Sequence, residues 1–183
     1  MFKKPLISIL MTLTLAGIML PGCKSEGEPP SESPRASSQA DLPSGFFLTQ
    51  EPTAAKTVED AKKSAKPGDP ITLHGRIGGA KDPFVDGRAV FTLMGAGLKP
   101  CGAGSAMPDC KTPWDYCCDT SREIAEHSAT IQVVDASGAP LRLSIKGRNG
   151  IRELSDLIVV GKVMQADGRL MIVNASGVFV KKS

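Results

Sequence analysis

Cys101, Cys110, Cys117 and Cys118 crowd into one segment with the spacing C-x8-C-x6-C-C. Thiols grouped in this way can oxidise to disulfides, ligate a metal as thiolates, or cycle between redox states. An even, clustered set in a chain that leaves the cytoplasm points first to disulfides. Four thiolates could also close a tetrahedral zinc site. Against that, the segment has no C-x2-C pair, and the adjacent Cys117 and Cys118 point their side chains in different directions. A redox pair lacks the C-x-x-C pattern, and a vicinal Cys117–Cys118 bond would be strained and reducible. The expectation is two disulfides, Cys101 and Cys110 each joined to one of Cys117 and Cys118, with no metal and no other cofactor. Pairing Cys101 with Cys110 ranks below these because it forces the vicinal bond. Each expected bridge would close a loop of roughly ten to twenty residues and contribute about 2–4 kcal/mol by restricting the unfolded chain.

Other chemistry-bearing residues are sparse. His74 and His127 are the two histidines, and neither sits in a triad or ligand pattern. His74 falls on the polar side of an alternating run and reads as a surface residue, while His127 ends a helix-like run where a cation suits the dipole. Gly95-Ala96-Gly97 and Cys101-Gly102-Ala103-Gly104 are glycine-rich but match no phosphate-loop spacing. No catalytic residue is assigned. The candidate binding residues are Trp114 and Tyr116, which with Met107 are the apolar bulk of a segment otherwise built from Gly102, Gly104, Pro108 and Pro113, together with Arg76. Bridged cysteines would hold Trp114 and Tyr116 as a fixed aromatic pair against the fold or toward a partner. Arg76, Arg142, Lys146 and Lys162 could face an anionic polymer together, although a scattered solvated surface is the preferred reading.

Charge and composition exclude one partner class. Lys and Arg number 22 against 19 Asp and Glu. Lys3 and Lys4 belong to the leader, so the remainder is close to neutral and offers no broad basic field for nucleic acid. One Trp and one Tyr are also too few for a base-stacking platform.

The start of the chain supplies the compartment. Lys3 and Lys4 precede an apolar stretch from Leu6 to Leu20, too short to span a bilayer core of about 30 Å comfortably, which favours a signal segment over a permanent helix. Leu20-Pro21-Gly22-Cys23 resembles a bacterial lipobox. The resemblance implies a signal peptide over 1–22, cleavage before Cys23, and a lipid on the Cys23 thiol that anchors the chain to a membrane. Residues 23–50 read as a flexible tether, rich in Ser, Pro, Glu and Gly up to about Gly45. Lys24 in place of Asp leans toward the outer membrane of the cell envelope rather than the inner one. Phe46, Phe47 and Leu48 then mark where the chain docks on the folded domain.

The elements that must position these residues are mostly strands. A helix is expected over 51–66, with Ala54, Val58, Ala61 and Ala65 on one face and a Thr57/Asp60 capping pattern, ended by Pro67-Gly68-Asp69-Pro70. Ile71, Leu73 and Ile77 alternate with polar neighbours as a half-buried strand. Further strands are expected over Arg88–Met94, Thr130–Asp135, Leu141–Lys146, Leu157–Met164 and Leu170–Val173, the last two flanking Asp167-Gly168, with Val178–Val180 continuing the last. Short helices are expected over Thr120–Glu126 and Arg148–Leu154. The fold class is mainly β: a small OB-fold-like Greek-key barrel over 67–183, with short helices and a Cys-rich insertion over 97–118.

Ile71-Thr72-Leu73-His74-Gly75-Arg76-Ile77 and Leu157-Ile158-Val159-Val160-Gly161-Lys162-Val163 resemble the first and fourth strands of bacterial OB-fold-like domains. The region as a whole is similar to uncharacterised exported OB-fold-like proteins that carry a Trp-Asp-Tyr-Cys-Cys segment, here Trp114 to Cys118. The resemblance implies a fold and almost nothing about activity. The function expected is that of a membrane-tethered envelope lipoprotein acting as a binding or interaction module for a protein, glycan or small ligand. The rival is a thiol- or metal-dependent envelope enzyme working from the insertion; without a nucleophile–base pair, the chain reads as no enzyme.

Overall fold

The computed structural model describes residues 41–101 and 109–182. The expected signal segment, Cys23 and the expected tether up to residue 40 lie outside the described residues, as do Gly102, Gly104, Met107 and Pro108 of the insertion.

The described elements run in the order β1 (Lys56–Thr57), α1 (Val58–Lys62), β2 (Pro70–Ile77), β3 (Val90–Met94), α2 (Ser121–Glu126), β4 (Ser128–Gln132), β5 (Asp156–Ala166) and β6 (Met171–Val180). Strand β2 pairs antiparallel with both β3 and β5, so the order β2-β3-β4-β6-β5 closes back on β2. The β4–β6 pairing is parallel and the other barrel pairings are antiparallel. This is a small OB-fold-like Greek-key barrel, mainly β with few short helices.

Sequence period explains the wall. Ile71, Leu73, Gly75 and Ile77 of β2 face inward while Thr72, His74 and Arg76 are half-exposed, as a two-residue repeat requires. Leu73, Ile77, Phe91, Leu93, Ile131, Leu157, Val159, Val173 and Val178 meet in the barrel core and are almost fully buried. Phe46 is 2% exposed, and Val178 exchanges backbone hydrogen bonds with Phe46 and Leu48 at 2.8 Å each, so the chain docks on β6 where its apolar patch lies.

Three expected elements differ. The helix over 51–66 is confined to Val58–Lys62, because Ala54 adopts a left-handed φ of 58° and Lys56–Thr57 pairs with β2 instead. The Thr57 cap does form, its hydroxyl accepting from the Asp60 amide at 3.2 Å. Leu141–Lys146 makes no ladder. Its Leu141, Leu143 and Ile145 still alternate inward and are buried, which is the signal the periodicity carried, but the nearest pairing is the isolated Val134–Pro140 bridge just before it. The helix over Arg148–Leu154 reduces to one 3-10 turn at Arg148–Gly150, because Asn149, Gly150 and Leu154 all have positive φ. No α-helix therefore precedes the fourth barrel strand, β5, among the described residues; α1 precedes the first and α2 the third.

Candidate functional site

The connection from β3 to β4 carries the cysteines and is fastened to the barrel at two places. The first is a polar knot. Glu59 of α1 accepts from the Gly97 amide at 2.8 Å and pairs with His127 Nδ1 at 2.7 Å, while the Gly95 amide donates to the His127 carbonyl at 2.7 Å. Burial pushes the Glu59 carboxyl up, but hydrogen bonds from His127 and from the Glu59 and Gly97 amides outweigh it and hold it below the ordinary value. A Cβ on Gly97 would run into the His127 ring and the Glu59 carboxylate, so glycine there allows a close approach to a charged pair. His127, read from the sequence as a dipole-matched helix end, does cap α2, but its ring serves Glu59. Thr120 and Glu123 form a capping box at the other end of that helix.

The second fastening is the Trp114–Cys118 segment. Tyr116 is 1% exposed and takes a left-handed φ of 55°, which turns the chain after the short 3-10 turn Pro113–Asp115. Its ring lies against Gly78, where an added Cβ would sit 2.9 Å from Tyr116 Cε2 and 2.6 Å from the Trp114 carbonyl. That carbonyl accepts from the Gly79 amide at 2.7 Å, and Trp114 Nε1 donates to the Lys81 carbonyl at 2.9 Å. The expected aromatic pair does not form: Tyr116 is buried under the strand end, whereas the half-buried Trp114 clamps the outside of it.

Between these fastenings lies a cleft of about 350 Å³. Strands β2 and β5 contribute His74, Arg76 and Asp156; the loop after β3 contributes Leu98, Lys99 and Pro100; Tyr116 and Met94 complete the wall. His74 Nε2 pairs with Asp156 Oδ1 at 2.7 Å across the β2–β5 ladder, so this histidine, expected to be an ordinary surface residue, is oriented at the cleft edge. Among the described residues neither Arg76 nor Lys99 takes part in an ion pair. Of the three candidate binding residues, Arg76 and Tyr116 come together and Trp114 does not join them. The other basic positions do not converge on this cleft: Lys146 pairs with Glu153 beside the Phe84 ring.

Directly beside the cleft, the cysteines meet. The four cysteines lie close together with no S–S bond drawn among them. Cys101, 6% exposed, brings its Sγ to 3.0 Å from Cys117 Sγ and 3.7 Å from Cys118 Sγ. A disulfide needs about 2.05 Å between sulfurs. Asp115 Oδ1 is 3.9 Å from Cys101 Sγ and accepts from the Cys117 amide at 2.9 Å, while Asp115 Oδ2 accepts from Thr112 Oγ1 at 2.7 Å. One ligand atom from each of Cys101, Cys110, Asp115 and Cys117 lies within 4.8 Å of the others. Burial raises the Cys101 thiol, but its contacts with Cys117 and Cys118 outweigh that and lower its pKa, while the contact with Cys101 raises the other two.

Fold and site together define an OB-fold-like barrel with a rim cleft and an adjoining thiol–carboxylate cluster. No protein family, no curated protein and no solved structure matches the chain.

Proposed function

We propose that the protein is an exported, lipid-anchored module of the bacterial cell envelope that binds a small anionic ligand in the rim cleft. The observation that carries the reading is Arg76, a cation on a barrel strand that lines a concave, partly apolar space and makes no ion pair among the described residues, since Asp156 opposite it in the ladder is taken by His74. Lys99 adds a second positive charge from the loop, and the His74–Asp156 pair adds an oriented ring nitrogen. Met94, Leu98, Pro100 and Tyr116 give the remaining wall an apolar character, the usual division of labour in small-molecule sites. The anchor follows from Leu20-Pro21-Gly22-Cys23 behind its apolar leader. A lipid with several chains on Cys23 would hold the tethered barrel stably at the membrane, which one chain does not.

Calorimetry of the detergent-solubilised chain with inorganic phosphate and short dicarboxylates tests the cleft. Saturable binding should weaken about ten- to a hundredfold in Arg76→Ala, the equivalent of one charged hydrogen bond, and stay unchanged in Lys146→Ala. Equal loss in both variants would place the anion elsewhere. For the anchor, Cys23→Ser should release the protein or leave the precursor uncut; an unmodified Cys23 thiol in membrane-bound protein contradicts it.

A further inference from the structure

We infer that Cys101, Cys110, Cys117 and Asp115 form a binding site for one borderline-soft divalent cation of the zinc class, and that this cation clamps together the two walls of the rim cleft. The inference concerns the insertion itself and goes beyond the anion-binding reading.

The donor set and its spacing carry the argument. A tetrahedral ion with metal–sulfur distances of about 2.3 Å has ligand–ligand edges of about 3.8 Å. From Cys101 Sγ the Asp115 carboxylate stands at 3.9 Å, close to that edge. Cys117 Sγ, at 3.0 Å, is too near for an edge and too far for a bond, and a small rotation of this exposed side chain opens it. Cys110 completes the set, with all four ligand atoms inside 4.8 Å. A carboxylate has no part in a disulfide, yet here one is aimed into the thiols and held by the Thr112 hydroxyl. That is how carboxylate ligands are oriented by groups behind them. Three thiolates and one carboxylate select zinc over magnesium or calcium, which prefer all-oxygen sites. Binding releases the thiol protons to solvent and involves no electron transfer.

The adjacency of Cys117 and Cys118, which from sequence makes joint ligation of one ion awkward, presents no obstacle, because Cys118 is not among the four. Each of two ligands adjoins a cleft residue in the chain: Cys101 follows Pro100, and Cys117 follows Tyr116. An ion bound to both fixes the distance between the loop wall and the Tyr116 wall.

The test uses the full chain, reduced and solubilised, titrated with cobalt(II) and then displaced by zinc. About one cobalt per chain with a thiolate-to-cobalt charge-transfer band is expected for this donor set. Cys101→Ser, Cys110→Ser and Cys117→Ser should each abolish the band, while Cys118→Ser keeps it. Thr112→Val, which leaves every ligand in place, should weaken affinity about 10–100-fold. Circular dichroism of each variant confirms that the barrel remains. A folded wild-type chain without the band overturns the site, as does loss of the band only in Cys118→Ser, or native protein isolated with two disulfides and no metal. Because cobalt binding is read without any anion, its failure leaves the cleft reading standing, and the reverse also holds.

Discussion

The barrel wall and the Cys-rich insertion are ordered by different physics. The wall is held by apolar burial repeated along every strand, so Leu73, Phe91, Ile131 and Leu157 each touch a shared core and each supports the others. Among the described residues of the insertion, Pro100, Cys101 and Tyr116 are buried, and the others are held by local devices: the Glu59–His127 knot, the seat of Tyr116 on Gly78, and the thiol–carboxylate cluster. Removing one residue from a shared core weakens the whole; removing one local device should free only its neighbourhood. The cleft lies at the seam, with one wall of each kind.

That contrast can be broken from the wall side first. Phe91→Ala should destabilise the barrel by about 3–5 kcal/mol, enough to unfold it or nearly so, and both the strand signal in circular dichroism and the insertion contacts should be lost together. Gly78→Ala should cost about 1–3 kcal/mol through overpacking against Tyr116 and the Trp114 carbonyl. Its signature is selective: amides of 112–118 should exchange faster while β4 and β6 keep their protection. Equal loss of protection in both regions would erase the distinction.

Glu59→Gln comes next, at about 1–3 kcal/mol for disturbed charged hydrogen bonds, and its pH dependence fixes the sign. The folded-state pKa of Glu59 lies below its ordinary 4.5, so the ionised carboxylate stabilises the fold above that value. The contribution fades as pH falls through the depressed folded pKa. The stability gap between wild type and Glu59→Gln should therefore be constant near neutrality and close in acid; a gap that widens on acidification contradicts the knot. Smallest of all is Cys118→Ser, an exposed position outside the four-ligand set, expected to stay within about 0.5 kcal/mol in denaturant melts.

The same contrast governs what could be read from the sequence. Strand β2 and the β5–β6 hairpin were legible because inward residues recur every second position and Asp167-Gly168 marks the turn. The alternation of Leu141, Leu143 and Ile145 correctly announced burial, yet periodicity cannot say whether a neighbouring strand is present to pair with. The Arg148–Leu154 helix failed on backbone signs at Asn149 and Leu154, which no hydrophobic pattern encodes. In the insertion, spacing alone counted thiols correctly but could not supply Asp115, whose place beside them goes with a left-handed Tyr116 that turns the segment. The glycines at 78 and 97 were equally opaque: their meaning lies in groups distant along the chain that pack against them. His74 looked ordinary until the β2–β5 register set Asp156 opposite Arg76, diagonally within reach of the His74 ring.

The most direct test of the cleft is a side-chain NMR titration of the full chain, labelled at arginine and histidine, with inorganic phosphate. The Arg76 guanidinium and the His74 ring should shift together along one saturating curve, with His127, half-buried and outside the cleft in its pair with Glu59, unmoved. Shifts that instead rise linearly at Arg88, Arg142 and Arg152 on the barrel exterior, with Arg76 and His74 silent, would contradict a binding cleft at the rim.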